Sequence, residues 1–405
     1  MTMYRICIIG NFSGRNAGDA AILGGLLHDL SKRYSGCTFL IPTINTRFVA
    51  QTYAAYNVTP VGLMPWNLSV KIFGWPLLRS VLSADLILVT DAILFDYKLM
   101  NPLYNYLSTL ALALPLAKKR GIPVVLYNVS LGPVYTKIGR SCLNRVLNSS
   151  EIVLLRDRES RTLLQELQPS FPSERVFQTA DCALNTIPGD QDRLVQIQTK
   201  EGILTGSRPW MSFNISSYID VYMRGYKGKG FGRDKFLEIM ARVLESACRE
   251  FGVNPLMVVT QPMDIPINKE LLARARDGHR VKIISNTEYS YRDLALVLSK
   301  VDLHIGMRTH SLILASSVLT PVVGIIATPK NRGFMCSIEQ EERMIEFDHF
   351  SEEIVHKVLQ TTWYNRHKIK QGLAPIIARE KKKAEGAADL LRKYLCACSG
   401  EAGRI

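Results

Sequence analysis

The sequence predicts an α/β protein built from two Rossmann-like domains facing a cleft. Three observations point there: a length of 405 residues, short apolar runs alternating with helical patterns, and a polar interruption near the middle of the chain. A single hydrophobic core stops growing at about 250–300 residues, so a chain of this length divides. Strands alternating with amphipathic helices give parallel sheets covered on both faces.

The first domain, residues 1–190, opens on a buried strand over 4–10, a loop rich in Gly, Asn and Ser, and an amphipathic helix over 20–34. Strand-like runs follow at 37–41, 86–90, 123–128 and 152–155. Helical patterns lie between them at 102–120, 137–148 and 157–167, the last capped by Asp157. The polar run Pro188-Gly189-Asp190-Gln191-Asp192 marks a boundary over 185–207. The second domain, 205–375, has strands at 210–215, 256–260, 281–285, 301–305 and 322–325. Helices at 234–251, 291–300 and 309–318 separate them, with Ser290 capping the second and Asp293 in its first turn. Residues 376–405 form a basic helix and tail containing Arg379, Lys381, Lys382, Lys383, Arg392 and Lys393, expected to be a solvated helix that closes the fold. Open α/β sheets bind ligands at the carboxyl ends of their strands, which is where the cleft is expected.

Lys and Arg number 50 against 36 Asp and Glu, a formal charge of +14 that favours phosphorylated, acidic or membrane-surface partners. No RNP or zinc-finger spacing accompanies that charge, so nucleic acid is not an expected partner. The eight cysteines are scattered, several within apolar runs, which suits reduced thiols in a cytoplasmic protein. Cys396 and Cys398 lack a second pair to complete a zinc site, and no metal is expected. The N-terminus passes directly into a strand, so no signal peptide is expected, and Lys71, Arg79 and Asp85 interrupt the most apolar region before it reaches spanning length.

Two stretches carry the chemistry. Gly10-Asn11-Phe12-Ser13-Gly14-Arg15-Asn16-Ala17-Gly18-Asp19 joins a strand to a helix, where backbone amides approach a ligand closely; it is neither a dinucleotide fingerprint nor a Walker sequence. Asp19 reads as the helix cap, as a carboxylate for a sugar hydroxyl, or as both. In Asp302-Leu303-His304-Ile305-Gly306-Met307-Arg308-Thr309-His310-Ser311, a buried strand ends and a helix begins within three residues. Arg308, His310 and the helix amides there suit an anion, with His310 able to exchange a proton near neutral pH. His304, within the strand, reads as a core histidine. Lys330 and Arg332 follow the next strand and can complete the anion site. Arg156, at the end of the strand over 152–155, points at the same cleft, while Arg158 reads as solvated.

This ordered set resembles the polysaccharide pyruvyl transferase family. The matching pieces are Gly10-Asn11 with Gly18-Asp19-Ala20-Ala21-Ile22, Leu155-Arg156-Asp157-Arg158-Glu159-Ser160, Thr179-Ala180-Asp181, Asn214-Ile215-Ser216, and Gly306-Met307-Arg308-Thr309-His310-Ser311 with Ala315, Pro321 and Lys330. The resemblance implies a GT-B-like fold, phosphoenolpyruvate as co-substrate with no cofactor, and transfer of a pyruvyl ketal to a glycan with loss of phosphate. It carries donor binding to Arg156, Arg308, His310 and Lys330, with the second domain as the donor side, and a cleft role to Asp19 on the acceptor half. Asn11, Gly18, Asn214, Ser311 and Arg332 are further candidate cleft contacts; His310 is the candidate acid or key phosphate ligand and Asp19 the candidate base, with the two roles not yet divided between them. In place of the family's Gly-rich turn stands Asp91-Ala92-Ile93-Leu94-Phe95-Asp96, so the acceptor side departs from the pattern.

The segments 61–82 and 104–116 are apolar and aromatic with flanking cations, a pattern shared by buried core helices and interfacial ones. On the interfacial reading the acceptor is a lipid-linked oligosaccharide and the protein is peripheral at the inner face of the cell membrane. Two rival functions remain at this level: a nucleotide-sugar glycosyltransferase of GT-B architecture and a non-catalytic glycan-binding relative. The sequence leaves the oligomeric state and the acceptor sugar open.

Overall fold

A computed structural model describes residues 4–34, 36–63, 70–97, 99, 105–219 and 231–399. The chain forms two compact units. Unit 1 comprises Met1–Gly14, Ile22–Asn185 and Lys381–Ile405; unit 2 comprises Arg15–Ala21 and Thr186–Glu380.

Unit 1 is built on strands β1 (Arg5–Ile9), β2 (Thr38–Thr43), β3 (Val58–Gly62), β4 (Leu86–Leu94), β5 (Val124–Leu131), β6 (Ile152–Leu155) and β7 (Val176–Gln178). They form one sheet in the order β3-β2-β1-β4-β5-β6-β7, every pair parallel. Its helices are α1 (Ala17–Arg33), α2 (Thr46–Thr52), α3 (Val70–Leu82), α4 (Leu107–Lys119), α5 (Lys137–Ser149) and α6 (Arg158–Leu167). The central strands are apolar on both faces because helices cover both, so alternation is replaced by continuous runs such as Ile152–Leu155. Leu77 and Val81 of α3, Leu110 and Leu114 of α4, and Leu143 and Leu147 of α5 pack in one core with Val89 and Leu126 of the sheet. Each such side chain contributes about 1.5–3 kcal/mol on burial. Gly25 lets α1 press onto the 182–185 turn: a Cβ there would lie 1.9 Å from the Cys182 carbonyl oxygen.

Unit 2 holds β8 (Trp210–Asn214), β9 (Asn254–Val259), β10 (Lys282–Ser285), β11 (Leu303–Gly306), β12 (Val322–Ile326) and β13 (Met344–Glu346), again all parallel, in the order β10-β9-β8-β11-β12-β13. The helices are α7 (Gln191–Glu201), α8 (Arg233–Phe251), α9 (Ile265–Arg274), α10 (Tyr291–Leu298), α11 (Thr309–Ser317), α12 (Pro329–Ser337), α13 (Glu352–Tyr364) and α14 (Arg366–Ser399). Strand order reverses between β8 and β11, so the ends of these two strands form the switch point of the sheet.

Several boundaries differ from expectation. Helix α1 starts at Ala17 rather than at residue 20, because Asn16 rather than Asp19 occupies the cap position: its carbonyl accepts the first helical bond, from Ala20 N at 3.2 Å. The polar run at 188–192 is not a bare linker but leads into α7, capped by Asp190 through Arg193 N at 2.8 Å. The last helix begins at Arg366, and it is solvated on one side only. Ala384, Ala387, Ala388 and Leu391 are buried, and Tyr34 Oη donates to the Ala388 carbonyl at 3.2 Å. The predicted caps Asp157 and Ser290 are in place, the latter as a reciprocal box with Asp293.

Of the apolar segment 61–82, Met64 and Trp66 lie outside the described residues; Leu77 and Val81 are core, while Trp75 is exposed. The side chains of six cysteines are described, and those six are free thiols; burial pushes Cys7 up to about 12. Among the described residues no helix is long and apolar enough to cross a membrane, and no cluster of His, Cys, Asp or Glu could hold a metal ion.

Candidate functional site

The switch point of unit 2 is assembled by backbone bonds. Gly306 of β11 is in register with Asn214 of β8 and Gly324 of β12. Beyond it, Met307 N donates to the Asn214 carbonyl at 3.0 Å, Arg308 N to Asn214 Oδ1 at 3.1 Å, and Asn331 Nδ2 to the Met307 carbonyl at 2.8 Å. Asn214 Nδ2 donates to the Val258 carbonyl at 2.8 Å. Both ends of this fully buried amide are thus spent on main chain, so Asn214 shapes the turn instead of contacting substrate as expected. Ser311 is likewise buried, its hydroxyl donating to the Arg308 carbonyl at 2.8 Å, a scaffold role in place of the expected contact.

Arg308 occupies the N-cap position of α11, where no side chain caps the helix. Its Nε and one terminal nitrogen donate to the two oxygens of Asp264 at 2.7 and 2.9 Å, and its guanidinium lies 4.3 Å from the Tyr218 ring centroid. Asp264 is fully buried and also accepts from Ser217 N and Oγ, both at 2.8 Å. Arg308, an expected anion ligand, thus has its charge balanced by Asp264 and its orientation fixed.

His310 stands in the first turn of α11, where it meets the start of α1 within unit 2. A Cβ on Gly18 would lie 2.1 Å from His310 Cγ and Nδ1, so the imidazole rests directly on the glycine backbone. The α1 terminus is anchored by Ala17 N donating to the Thr260 carbonyl at 2.9 Å. Asn16 accepts from Gly18 N at 2.9 Å and donates to Asp19 Oδ1 at 2.6 Å. Asp19, next to Gly18, is buried in that first turn. Of the predicted residues, Gly18 and His310 are thus brought into contact, with Asp19 and Arg308 beside them along the chain.

Lys330 is in the first turn of α12, capped by Thr328, next to the Asn331 that holds Met307. Neither α11 nor α12 has an acid in its first turn, and each carries a basic side chain there. Helix dipoles favour the reverse arrangement, with acids at the N-termini. Arg332 is different: it is exposed and pairs with Glu346 at 2.8 Å, a surface ion pair in place of the expected cleft contact.

Asn11 and Arg156 belong to unit 1. Asn11 is exposed, and its N–H lies 3.4 Å from Asp91 Oδ2. Arg156 is a buried hub: Nη1 pairs with Asp181 at 2.7 Å and Nε donates to Ser130 Oγ at 2.7 Å. Burial disfavours its charge, but Asp181, Asp91 and Asp157 outweigh that and hold its pKa above the usual range. His304 is the core histidine expected: Nδ1 is 2.8 Å from Ser212 Oγ, and burial pushes its pKa down to about 3.

Sequence reasoning missed Asp264, Tyr218 and Asn16. Asp264 follows a strand as part of Gln261-Pro262-Met263-Asp264, indistinguishable by pattern from a helix cap; only its distance to Arg308 reveals it. Asn16 was legible as an alternative cap three residues before the acid at Asp19.

A family model for polysaccharide pyruvyl transferase matches residues 16–327, more than half of the chain. The chain belongs to the polysaccharide pyruvyl transferase family. The matched span takes in Gly18, Asp19, Asp264, Arg308 and His310, with Lys330 just beyond it. No curated protein matches. Solved structures share the fold. The chain is similar to UDP-GlcNAc 2-epimerase from Neisseria meningitidis bound to UDP-GlcNAc, at TM-score 0.65 and 12% identity over 98% of this chain and 100% of that one. It is similar to UDP-GlcNAc 2-epimerase from Methanocaldococcus jannaschii at TM-score 0.64 and 11% identity, covering 96% and 99%. Anabaena Alr3699/HepE in complex with UDP and glucose gives TM-score 0.60 and 14% identity, covering 98% and 100%. At such identities these likenesses establish the two parallel-sheet α/β domains of the GT-B kind and nothing further.

Proposed function

We propose that the chain transfers the pyruvyl group of phosphoenolpyruvate to two hydroxyls of a glycan, forming a ketal and releasing phosphate, with the donor held at the switch point of unit 2. The observation that carries this reading is the imidazole of His310 seated on Gly18 beside Asp19, with the Asp264-locked Arg308 at the same turn. Family membership supports it; the choice of donor rests on the match between the site's chemistry and an enol phosphate.

In the first step an acceptor hydroxyl adds to the central carbon of phosphoenolpyruvate while a proton is delivered to the methylene carbon, giving a methyl-bearing phosphoketal. A second hydroxyl of the same sugar then displaces phosphate, losing its proton as the carbon–oxygen bond to phosphate breaks. His310 is assigned as the acid that protonates the methylene, and Asp19 as the base that receives the hydroxyl proton. The amide dipoles of α11 and α12, with Lys330, stabilise the departing phosphate, and the fixed guanidinium of Arg308 orients the donor. Arg156 keeps the donor-binding role given by the family resemblance, tested by the Michaelis constant for phosphoenolpyruvate of Arg156→Lys. The acceptor class proposed is a lipid-linked or cell-surface polysaccharide precursor, handled in the cytoplasm. No metal or cofactor is assigned.

Thermal shift tests the donor. Stabilisation of the wild-type chain by phosphoenolpyruvate, reduced in His310→Ala, supports the reading. Stabilisation by a UDP-sugar and not by phosphoenolpyruvate overturns it in favour of a glycosyltransferase, and stabilisation by neither favours a non-catalytic glycan binder.

A further inference from the structure

Helices α3, α4 and α5 pack on one face of the unit 1 sheet and share its core. Their outward positions are unusual. Trp75 of α3 is 65% exposed, Leu112 of α4 is 52% and Ile138 of α5 is 65%, with Leu116 of α4 also exposed and Tyr135, just ahead of α5, at 82%. Leu112, Leu116 and Lys119 fall on one stripe of α4 by their spacing of four and three; Trp75 and Arg79 are four apart on α3, and Ile138 and Arg145 seven apart on α5. None of the three helices contains Asp or Glu, and the sequence from Tyr97 to Ser150 has none at all.

The acids that flank these helices in sequence are engaged elsewhere or buried. Asp85 accepts from Arg5 N at 2.7 Å, Glu151 pairs with Arg175 at 3.6 Å, and Asp96 is buried, accepting from Tyr135 N and Thr136 N at 2.8 and 2.6 Å. Beside Trp75 an open groove of about 360 Å³, walled by Leu40, Val61 and Pro76, carries Arg5 and Arg79. Apolar and aromatic tips interleaved with cations, on three neighbouring helices without acids, match the chemistry of an anionic membrane surface: the tips enter the headgroup boundary and the cations meet lipid phosphates.

We propose that the α3–α4–α5 face of unit 1 docks on a bilayer of anionic lipid. A second copy of the chain is the poorer occupant, because a two-fold interface would set Arg79, Lys119 and Arg145 against the same cations. The proposal does not depend on the identity of the donor, since it concerns binding to lipid alone.

The test is co-sedimentation of the full chain with vesicles of phosphatidylglycerol and phosphatidylcholine, compared with phosphatidylcholine alone. Binding to the anionic vesicles that falls with added salt is expected. Leu112→Glu with Leu116→Glu, both at solvent-facing positions, should weaken binding by about tenfold or more with an unchanged melting temperature, and Lys119→Glu with Arg145→Glu should do likewise. Three results would overturn the proposal: no sedimentation with anionic vesicles at low salt, equal sedimentation of the variants, or a dimer by light scattering that the leucine substitutions dissociate.

Discussion

Asp264 holds Arg308 by two parallel hydrogen bonds, 2.7 and 2.9 Å long, from a position with no solvent exposure. Removing one partner of a buried pair leaves the other charge uncompensated, at a cost of about 3–5 kcal/mol. Asp264→Ala should therefore lower the melting temperature sharply, and the double variant Asp264→Ala/Arg308→Met should recover part of the loss. Simple additivity of the two single effects in denaturant titrations would show that the pair is not coupled.

Gly18→Ala puts a methyl group into the space the imidazole fills, 2.1 Å from His310 Cγ and Nδ1. A displacement of the imidazole by about 1 Å costs on the order of a hundredfold in rate. Phosphate release should fall by that factor in Gly18→Ala, and no further when the substitution is added to His310→Ala. A second full loss in the double variant would mean that Gly18 acts independently of His310.

His304 binds a proton only at about pH 3 in the folded chain, against 6.5 for the free side chain. The folded value is depressed, so the stability linked to the neutral ring is complete above about pH 6.5 and is lost as pH falls from there towards 3, by up to about 1.4 kcal/mol per pH unit. His304→Gln, which retains a polar partner for Ser212, should flatten the acid limb of a stability–pH curve. An unchanged acid limb would assign it to other groups.

Asp29 behaves in the opposite sense. Burial raises its carboxyl to about 6, with the bond from Asn185 Nδ2 at 2.7 Å opposing the rise. A raised folded pKa favours the protonated form, so the associated stability is present below 3.8 and is lost as pH rises through about 6. Asp29→Asn should melt higher than wild type at pH 7.5 and gain nothing at pH 3.8. A variant less stable at pH 7.5 would show that the ionised carboxylate is needed.

Much of this was legible in the chain. The inner strands of both sheets announce themselves as apolar runs because helices bury both of their faces, and Ser290 and Asp157 mark helix starts by side-chain chemistry alone. The edge strands β3, β7 and β13 were not legible: they are short and half-buried, so their residues carry no periodic signal. At the site, Arg308 and His310 were visible because a strand passes into a helix there within three residues. Asp264 was not, since its partner lies 44 residues away and only folding joins them. The same long-range pairing explains why Arg332, equally basic and equally near a strand end, differs in role: Glu346 claims it at the surface.

Transfer from phosphoenolpyruvate is measured by following phosphate release and glycan mass when the chain is given phosphoenolpyruvate and a lipid-linked glycan. One phosphate should be released per glycan modified, with a mass gain of one pyruvate less one water, and both signals should fall by about a hundredfold or more in His310→Ala. Phosphate release and ketal formation that continue at the wild-type rate in His310→Ala would contradict the role assigned to His310.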